Sequence, residues 1–597
     1  MALSIGFTVL SGLPMTLSPK ITPSSQTKLK VSSIATQNEG GNSSVVVAVP
    51  RRSGNYNPSL WDHSFIQSLK NDYTGDIYIN RAGQLKEEVR NLFDKTMEPL
   101  ARLELIFTLQ NLGIAYHFKK EIKESLLNIL NNKDDVLEKK DLHATSLLFM
   151  LLRGHGFEAS QVNADIFQSF KKTSGDFMDS LCDDIKGMLS LYEASYLGFE
   201  GEKTLDEARA FTAKFLEEYL KQDEINPILK EQVVHSLELP RHWRVTRIDS
   251  NWYMDIYERQ GDVNPILLEF AKLDFNLVQS THQADIRKMS RWWMDLGLAE
   301  KLGYARDRVM EHFFWTVGWL CEPQFSNFRE TLTKVNCLIT CLDDTYDVYG
   351  SLDELTLFTD AVNRWELNES QNLPEYMKIL ISALFKTTEE IAEEIFNQKG
   401  VDVLSCLKKG WADLCNSYFV EAEWYHSGYT PTFDEYLNNA WISISDGVLM
   451  GHAYFYVTED ITNEALDGLK NYNGILRWSS ILFRLIDDLG TSKHELQRGD
   501  VPKAVECYML EKGVSEEVAV EHIRGIISKA WKKMNKEYAA PSLFHREFVE
   551  VCMNEIRMAQ CMYQYGDGHG CPEQYGTKNR IMFSLIQPIP LNLEYNK

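Results

Sequence analysis

The sequence contains no apolar run of the roughly 18 residues that a membrane-spanning helix requires. Its ten cysteines include no C-x-x-C pair, which argues against a zinc ribbon or a small disulfide scaffold and favours reduced thiols. Lys and Arg residues form no cluster dense enough for a nucleic-acid-binding surface. These absences exclude an integral membrane protein and a DNA-binding protein.

Basic residues are also fewer than acidic ones. The 597 residues include 62 Lys and Arg against 85 Asp and Glu, a formal net charge of −23. With 44% apolar and 25% charged residues, the composition is that of a globular chain. A protein this acidic repels an anionic ligand unless cations stand between the two.

Residues 1–50 have a composition of their own. They hold fourteen Ser or Thr, three Lys, no Arg and one acidic residue, Glu39. They lack the uninterrupted apolar core of a secretory signal, and the absence of Arg disfavours a mitochondrial address. We therefore predict a plastid transit peptide over residues 1–50, with a disordered tail as the alternative, and a mature protein in the chloroplast stroma.

From about Asn57 onward, apolar residues recur at helical spacing, and alternating strand patterns are scarce. The best internal boundary is the turn RQGDVNP, in which Asn264 is a candidate N-cap and Pro265 a first helical residue. The sequence therefore predicts an all-α fold of two helical domains, residues 51–260 and 261–597.

The segment VNCLITCLDDTYDVYGS, residues 335–351, predicts a metal site. On a helix Asp343 and Asp347 share a face, with Asp344 beside them, at the C-terminal end of an apolar helix where the dipole disfavours negative charge. A solvated acidic helix end is the plain alternative. Hard divalent cations, Mg²⁺ or Mn²⁺, would compensate the negative charge, because carboxylates without soft ligands select such ions.

A second acidic segment, FRLIDDLGTSKHELQRGDVPK, strengthens this interpretation. Asp487, Thr491 and Glu495 lie at i, i+4 and i+8 and present a second set of oxygen ligands. Arg484 precedes them by one turn, and Lys503 follows after a break. Cations beside metal carboxylates indicate a bound polyanion such as diphosphate. Arg306 and Arg308, in ARDR, are weaker candidates for the same role.

Taken together, these motifs resemble a plant class I terpene synthase of the monoterpene type. The resemblance rests on DDTYD at 343–347, DDLGTSKHE at 487–495, ARDR at 305–308, and Arg51-Arg52 followed by Trp61; LYEAS at 191–195, RWW at 291–293 and YGDGHG at 565–570 also match. It covers residues 51–597. It implies an N-terminal α-barrel-like domain and a C-terminal α-bundle that carries the active site.

The resemblance also implies roles for single residues. Asp343 and Asp347, within the motif that includes Asp344, would bind two Mg²⁺ or Mn²⁺ ions. Asp487, Thr491 and Glu495 would bind a third ion. The remaining implied positions are the diphosphate contacts Arg306, Arg484 and Lys503, the pocket residues Trp315 and Asn336, the proton acceptors or relays Tyr563 and His569, and the N-terminal pair Arg51 and Arg52, which is linked to closure of the site and to isomerisation of geranyl to linalyl diphosphate.

The expected reaction is ionisation of geranyl diphosphate, giving a cyclic monoterpene or a monoterpene alcohol. Metal ions would stabilise the departing diphosphate, and a dry aromatic pocket would hold the carbocation. Phe483 and Tyr565 are weaker candidates for that pocket. We expect a small-molecule substrate, no nucleic acid and no membrane span, and a monomer, with a homodimer possible.

Several alternatives stay open. Acyclic products such as ocimene, myrcene or linalool are close behind, followed by sesquiterpenes from farnesyl diphosphate, a chain-elongating prenyltransferase and a non-catalytic helical scaffold. A class II cyclase is disfavoured because no D-x-D-D motif occurs. Isoprene synthases resemble this chain but carry Phe at position 336 and Asn at position 503, which favours a ten-carbon substrate. Asp446, in SISDG, departs from the family pattern.

Overall fold

The computed structural model describes residues 51–157, 162–222, 224–366, 372–498 and 501–591. The predicted transit peptide lies outside the described residues. Within these ranges the regular structure is helical, apart from one isolated antiparallel bridge between Lys171 and Phe177. The all-α prediction is confirmed. None of the helices in these ranges has the length and apolarity to cross a bilayer.

The helices up to residue 258 are mostly short. Their bounds are α1 His63–Ser68, α2 Asp76–Lys95, α3 Pro99–Asn111, α4 Lys119–Asn131, α5 Asp134–Leu137, α6 Leu142–Gly154, α7 Ile185–Ser195, α8 Lys203–Tyr219, α9 Pro227–Glu238 and α10 Thr246–Glu258. Single 3₁₀ turns lie at Ala115–Phe118, Ala164–Phe170, Asp179–Asp183 and Arg241–Trp243.

The later helices include the longest ones. Their bounds are α11 Pro265–Leu296, α12 Leu298–Lys301, α13 Val309–Trp319, α14 Ser326–Asp344, α15 Leu352–Arg364, α16 Glu375–Lys399, α17 Leu404–Ser427, α18 Phe433–Ser443, α19 Asp446–Val457, α20 Asn463–Lys470, α21 Ile475–Arg498, α22 Ala504–Lys512, α23 Glu516–Ala539, α24 Arg546–Tyr563 and α25 Thr577–Ile581. A 3₁₀ turn lies at Pro323–Phe325, and π-helical turns at Thr345–Tyr349 and Met582–Ile586.

Helix α11 starts where the sequence indicates. The Asn264 side chain accepts a hydrogen bond from the Ile266 amide at 3.0 Å, and Pro265 occupies the first turn, where no amide donor is needed. The helix runs for 32 residues to Leu296 and is capped by Gly297, whose φ of 67° is left-handed. The division into domains at residue 260 stays a prediction.

Two large apolar clusters form the interior. One includes Leu103, Phe149 and Phe270, and so joins the early helices to the first half of α11. The other joins the helices after α11 and also contains Trp61 and Ile66. The segment near residue 60 therefore packs on the later core, although it is distant in sequence.

Helices of the later core surround a cavity. Helix α21 packs on α24, α13 packs on α14, and α17 packs on both α18 and α19. The buried faces of α13 and α14 are largely apolar, which leaves only a few polar side chains to reach the cavity. These few polar groups define the site.

Candidate active site

The cavity encloses about 910 Å³, including its open mouth. Its lining combines most of the predicted acids and bases with aromatic and aliphatic side chains. The lining residues are Tyr56, Arg306, His312, Trp315, Trp319, Asn336, Ile339, Thr340, Asp343, Asp347, Tyr418, Ser443, Ile444, Ser445, Leu449, Phe483, Arg484, Asp487, Thr491, Glu495, Lys503, Tyr563, Asp567 and His569.

The first acidic motif spans a change of helix type. Helix α14 ends at Asp344 and continues as the π-helical turn Thr345–Tyr349. Asp343 and Asp347 both line the cavity, as predicted, whereas Asp344 is fully buried and is not part of the lining. A π-turn of this kind often marks a functional segment.

Asp344 instead holds Arg306. Its carboxylate accepts hydrogen bonds from the Arg306 backbone amide at 2.7 Å, and its Oδ1 lies 2.9 Å from Arg306 Nε. Burial raises the pKa of Asp344, and the facing guanidinium opposes this shift. Arg306 Nη2 extends past it to Asp343 Oδ2 at 2.5 Å. Asp344 thus orients the cation that reaches the cavity.

Arg308, the other arginine of ARDR, turns away from the cavity. Its Nη2 donates to the backbone carbonyl of Asn57 at 2.9 Å and to that of Gly570 at 3.1 Å. It is 1% exposed. Arg308 therefore ties the N-terminal segment to the loop that carries His569, and it is not a ligand-facing group.

The second acidic motif lies on α21. Asp487, Thr491 and Glu495 all line the cavity. Burial raises the pKa of Asp487 to about 7, while Arg484, paired with it one turn earlier, opposes that shift. Arg484 also lies 2.6 Å from Asp488, which is fully buried and accepts the Tyr436 hydroxyl at 2.8 Å. Asp488 thus orients Arg484 much as Asp344 orients Arg306.

Lys503 reaches the cavity from the segment before α22. Its Nζ lies 3.4 Å from Glu421 Oε2, and both side chains are buried. Glu421 also accepts hydrogen bonds from Asn439 Nδ2, at 3.2 Å, and from Ser443 Oγ. This network fixes the ammonium group of Lys503 at the cavity. Sequence reasoning missed Glu421, because one acid within a long helix gives no signal.

The oxygen ligands fit a hard divalent cation. Each of the two sets supplies two carboxylates, and no group of three or more His, Cys, Asp or Glu in the described part of the chain forms a closed metal cage. Mg²⁺ usually binds one or two protein carboxylates and completes its shell with water and substrate phosphates. The residues therefore suit Mg²⁺ or Mn²⁺ shared with an anionic ligand.

Four aromatic rings form one cluster in the cavity lining. The Trp315 ring centroid lies 5.3 Å from that of Phe483 and 6.0 Å from those of Tyr563 and Trp319. Such faces stabilise a cation without offering it a nucleophile. Tyr565 is not among them, because it is half-exposed and its hydroxyl donates to Glu238.

Two neutral histidines lie beside the rings. Burial lowers the pKa of His312 to about 3 and the pKa of His569 well below its usual value, and Arg306 adds to both shifts. Trp315 Nε1 is 3.4 Å from His569 Nδ1, and His312 Nε2 is 2.9 Å from Thr340 Oγ1. His569 therefore presents a neutral imidazole at the cavity wall.

Arg51 and Arg52 lie outside the cavity lining, next to the turn that carries Asp347. Arg52 Nη1 donates to the carbonyl of Asp347 at 2.7 Å, and Arg51 Nη2 donates to Glu354 Oε1 at 2.6 Å. Tyr56, a few residues on, does reach the cavity, with the Arg306 guanidinium 4.9 Å from its ring centroid. The N-terminal segment thus contacts the turn that carries Asp347.

Other lining residues were missed, and the reason depends on whether the residue lies on a helix. His312 precedes Trp315 by nearly one turn of α13, and Thr340 lies between Asn336 and Asp343 on α14. Extending helical spacing from the predicted residues could have found both. Tyr56 and Asp567 lie on non-helical segments, where spacing indicates nothing.

Comparisons with known proteins identify the family of the chain. The terpene synthase metal-binding domain matches residues 294–533, and the terpene synthase N-terminal domain matches residues 60–237. A chloroplastic myrcene synthase of Quercus ilex is 53% identical over 544 residues, which cover 91% of this chain and 90% of that protein.

Two solved structures are similar over most of the chain. A limonene synthase with 2-fluorolinalyl diphosphate has a TM-score of 0.88 and 42% identity, covering 91% of this chain and 100% of that one. An isoprene synthase from grey poplar (Populus x canescens), in complex with three Mg²⁺ ions and dimethylallyl-S-thiolodiphosphate, has a TM-score of 0.82 and 44% identity, covering 89% and 99%.

Fold and family domains together define a helical enzyme that uses a divalent metal. The chain belongs to the terpene synthase family. The use of a divalent metal, predicted from the oxygen ligands, is confirmed by the family's metal-binding domain.

Proposed function

We propose that this protein is a plastidial monoterpene synthase that converts geranyl diphosphate into a cyclic monoterpene or a monoterpene alcohol and releases diphosphate. One observation carries the proposal: two sets of carboxylates, three cationic side chains and an aromatic wall line the same cavity. The limonene and myrcene synthases among its relatives support a ten-carbon substrate. Several relatives bear chloroplastic names, which supports the plastid, and we place the enzyme in the stroma as a monomer.

Asp343 and Asp347 would hold two metal ions, and Asp487, Thr491 and Glu495 a third. The isoprene synthase complex with three Mg²⁺ ions supports that number, and Mn²⁺ suits the same oxygens. When bound, such ions stabilise the negative charge of the leaving diphosphate.

Three buried cations hold the diphosphate. Arg306, Arg484 and Lys503 each reach the cavity while paired with an acid behind or beside them. These pairs fix the donors before substrate arrives, so little reorganisation accompanies departure of the anion. They also overcome the repulsion that a protein of charge −23 would otherwise exert on an anionic substrate.

The allylic cation then lies against the aromatic wall. Trp315, Phe483 and Tyr563 present ring faces and exclude water, each cation–π contact contributing roughly 0.5 to 2 kcal/mol. Asn336 lines the same cavity and limits the conformations that the geranyl group can adopt there. Arg51 and Arg52 hold the N-terminal segment at the mouth, and so keep the cavity closed while geranyl isomerises to linalyl diphosphate.

His569 is the proposed proton acceptor at the end of the reaction. Its imidazole is neutral and lies at the aromatic wall, near Trp315. Tyr563 is the alternative relay; burial raises the pKa of its hydroxyl, and Asp487 adds to that shift. Replacing His569 by Phe should therefore change the final deprotonation more than ionisation.

A substrate comparison tests the proposal. Purified protein with Mg²⁺ is offered geranyl, farnesyl and dimethylallyl diphosphate, and products are identified by gas chromatography with mass spectrometry. We expect geranyl diphosphate to have the highest kcat/KM and to yield mainly cyclic products. A preference for farnesyl or dimethylallyl diphosphate would contradict the substrate assignment, and purely acyclic products would favour the myrcene-type alternative, which the Quercus ilex relative supports.

A further inference from the structure

A second pair of acids lies behind the cavity, where the proposed chemistry does not use them. Asp446, at the start of α19, and Glu555, on α24, are both fully buried. Asp446 Oδ2 accepts hydrogen bonds from Ser479 Oγ at 2.6 Å and Ser480 Oγ at 2.5 Å. A carboxylate buried in this way is costly unless its other oxygen is also satisfied.

Among the described residues, Asp446 Oδ1 and both side-chain oxygens of Glu555 have no hydrogen-bond partner. Burial raises the pKa of Glu555 well above its usual value, and the neighbouring Asp446 raises it further. Burial therefore favours the protonated form of Glu555. One proton shared between the two groups would give Asp446 Oδ1 a donor and would lower the cost of burying two adjacent acids.

Asp446 directly follows the break between two cavity helices. Helix α18 ends at Ser443, α19 begins at Asp446, and Ser445 between them has a φ of 71°. Ser443, Ile444 and Ser445 all line the cavity. A left-handed serine persists only where its surroundings determine it.

The opposite side of the break is fixed by packing. A Cβ on Gly447 would overlap the ring of Tyr472, so this turn of α19 lies tightly against that ring. Tyr472 is in turn held by a hydrogen bond from its hydroxyl to Asp413 at 2.7 Å. Hydrogen bonds to Asp446 thus hold one side of the break between α18 and α19, and packing of Gly447 against Tyr472 holds the other side.

We infer that Asp446 is a positioning residue that fixes the helix break at Ser445, held by the hydroxyls of Ser479 and Ser480 and by the carboxyl group of Glu555. The break shapes the cavity wall against which the carbocation folds, so the anchor sets the ratio of products and not the rate of ionisation. The inference deepens the proposed function and, for its product readout, rests on it.

Four variants of the full chain test the anchor, with products from geranyl diphosphate as the readout. Asp446→Ala removes the anchor, Glu555→Leu removes the proton donor, and Glu555→Gln keeps a neutral donor of the same size. Glu547→Leu, at an exposed position two turns earlier on α24, is the matched control.

We expect Asp446→Ala and Glu555→Leu to change the ratio of the two main products by at least about threefold, while total turnover falls less than about tenfold. Glu555→Gln and Glu547→Leu should keep the wild-type ratio. An unchanged ratio in Asp446→Ala, or equal shifts in Glu555→Gln and Glu555→Leu, would overturn the inference. If Glu555→Leu does not fold, Asp446→Ala and Glu555→Gln still decide.

A measurement without substrate separates this inference from the proposed function. At neutral pH, the infrared difference between wild type and Glu555→Gln should contain the carbonyl stretch of a protonated carboxylic acid. Absence of that band would overturn the anchor even if geranyl diphosphate is the substrate. Presence of the band without turnover of geranyl diphosphate would support the proton-sharing pair and refute the proposed function alone.

Discussion

Glu311 on α13 is a buried acid whose replacement should stabilise the protein in a pH-dependent way. The side chain is fully buried; Oε1 accepts the indole N–H of Trp61 at 3.1 Å, and Oε2 has no partner within the described ranges. Burial raises its pKa from 4.5 to about 7, although Arg308 opposes the shift. We predict that Glu311→Gln removes an ionisation penalty while the amide oxygen keeps the bond to Trp61.

The direction in which folding stability changes with pH follows from proton uptake by the folded protein. Because the pKa is higher in the folded state, the contribution of Glu311 to stability is fully present below pH 4.5 and is lost as the pH rises through about 7. At about 1.4 kcal/mol per pKa unit, the loss above pH 7 reaches about 3 kcal/mol. Glutamine does not ionise, so the variant should gain up to that amount.

Thermal and urea unfolding of wild type and Glu311→Gln, measured from about pH 4.5 to pH 8.5, tests this reasoning. The advantage of the variant should be small at the acidic end and grow towards neutral pH. Glu300→Gln, which removes an exposed acid from α12, should show no such growth. A difference between wild type and Glu311→Gln that is constant across this range, or a variant less stable at pH 8, would refute the assigned pKa.

Three further predictions concern the cavity. Lys503→Met should lower kcat/KM for geranyl diphosphate by about 10²- to 10³-fold. Glu421→Gln should lower it by less, because this change only weakens the contact that holds the Lys503 ammonium group in place. Equal losses in the two variants would contradict a direct contact between Lys503 and the diphosphate. Arg52→Ala, which loses the hydrogen bond to the Asp347 carbonyl, should reduce turnover of geranyl diphosphate more than that of linalyl diphosphate. An equal reduction for both substrates would argue against a role of Arg52 in the isomerisation step. Trp315→Leu should lower turnover by at least about fivefold and raise the share of water-captured alcohols, and an unchanged product profile would remove Trp315 from the cation's surroundings.

Much of the fold was predictable because its signals are local. Helical spacing, the Asn264 cap and Pro265 depend on neighbouring residues, and α11 begins where they indicate. The cavity position of the proposed metal ligands was predictable for the same reason, since Asp343 and Asp347, like Asp487 and Glu495, lie about one or two helical turns apart.

The parts that were not predictable depend on contacts distant in sequence. The pairing of Lys503 with Glu421 joins residues 82 positions apart, and the bond from Arg308 to Gly570 joins residues 262 apart. Spacing could not show that Asp344 contacts Arg306, because that contact joins residues 38 positions apart. Asp446 was recognised as unusual, but its partner Glu555 lies on another helix and carries no motif.

The most direct test of the central claim is diphosphate release from geranyl diphosphate by wild type, Asp343→Ala and Asp353→Ala, with and without Mg²⁺. Asp353 is the matched control, an exposed acid ten residues further along the chain. We predict metal-dependent release of diphosphate together with a volatile terpene by wild type and Asp353→Ala, and a kcat/KM at least about 10³-fold lower in Asp343→Ala. Wild-type turnover by Asp343→Ala, or release that persists after Mg²⁺ is removed by a chelator, would contradict metal-assisted ionisation at this site.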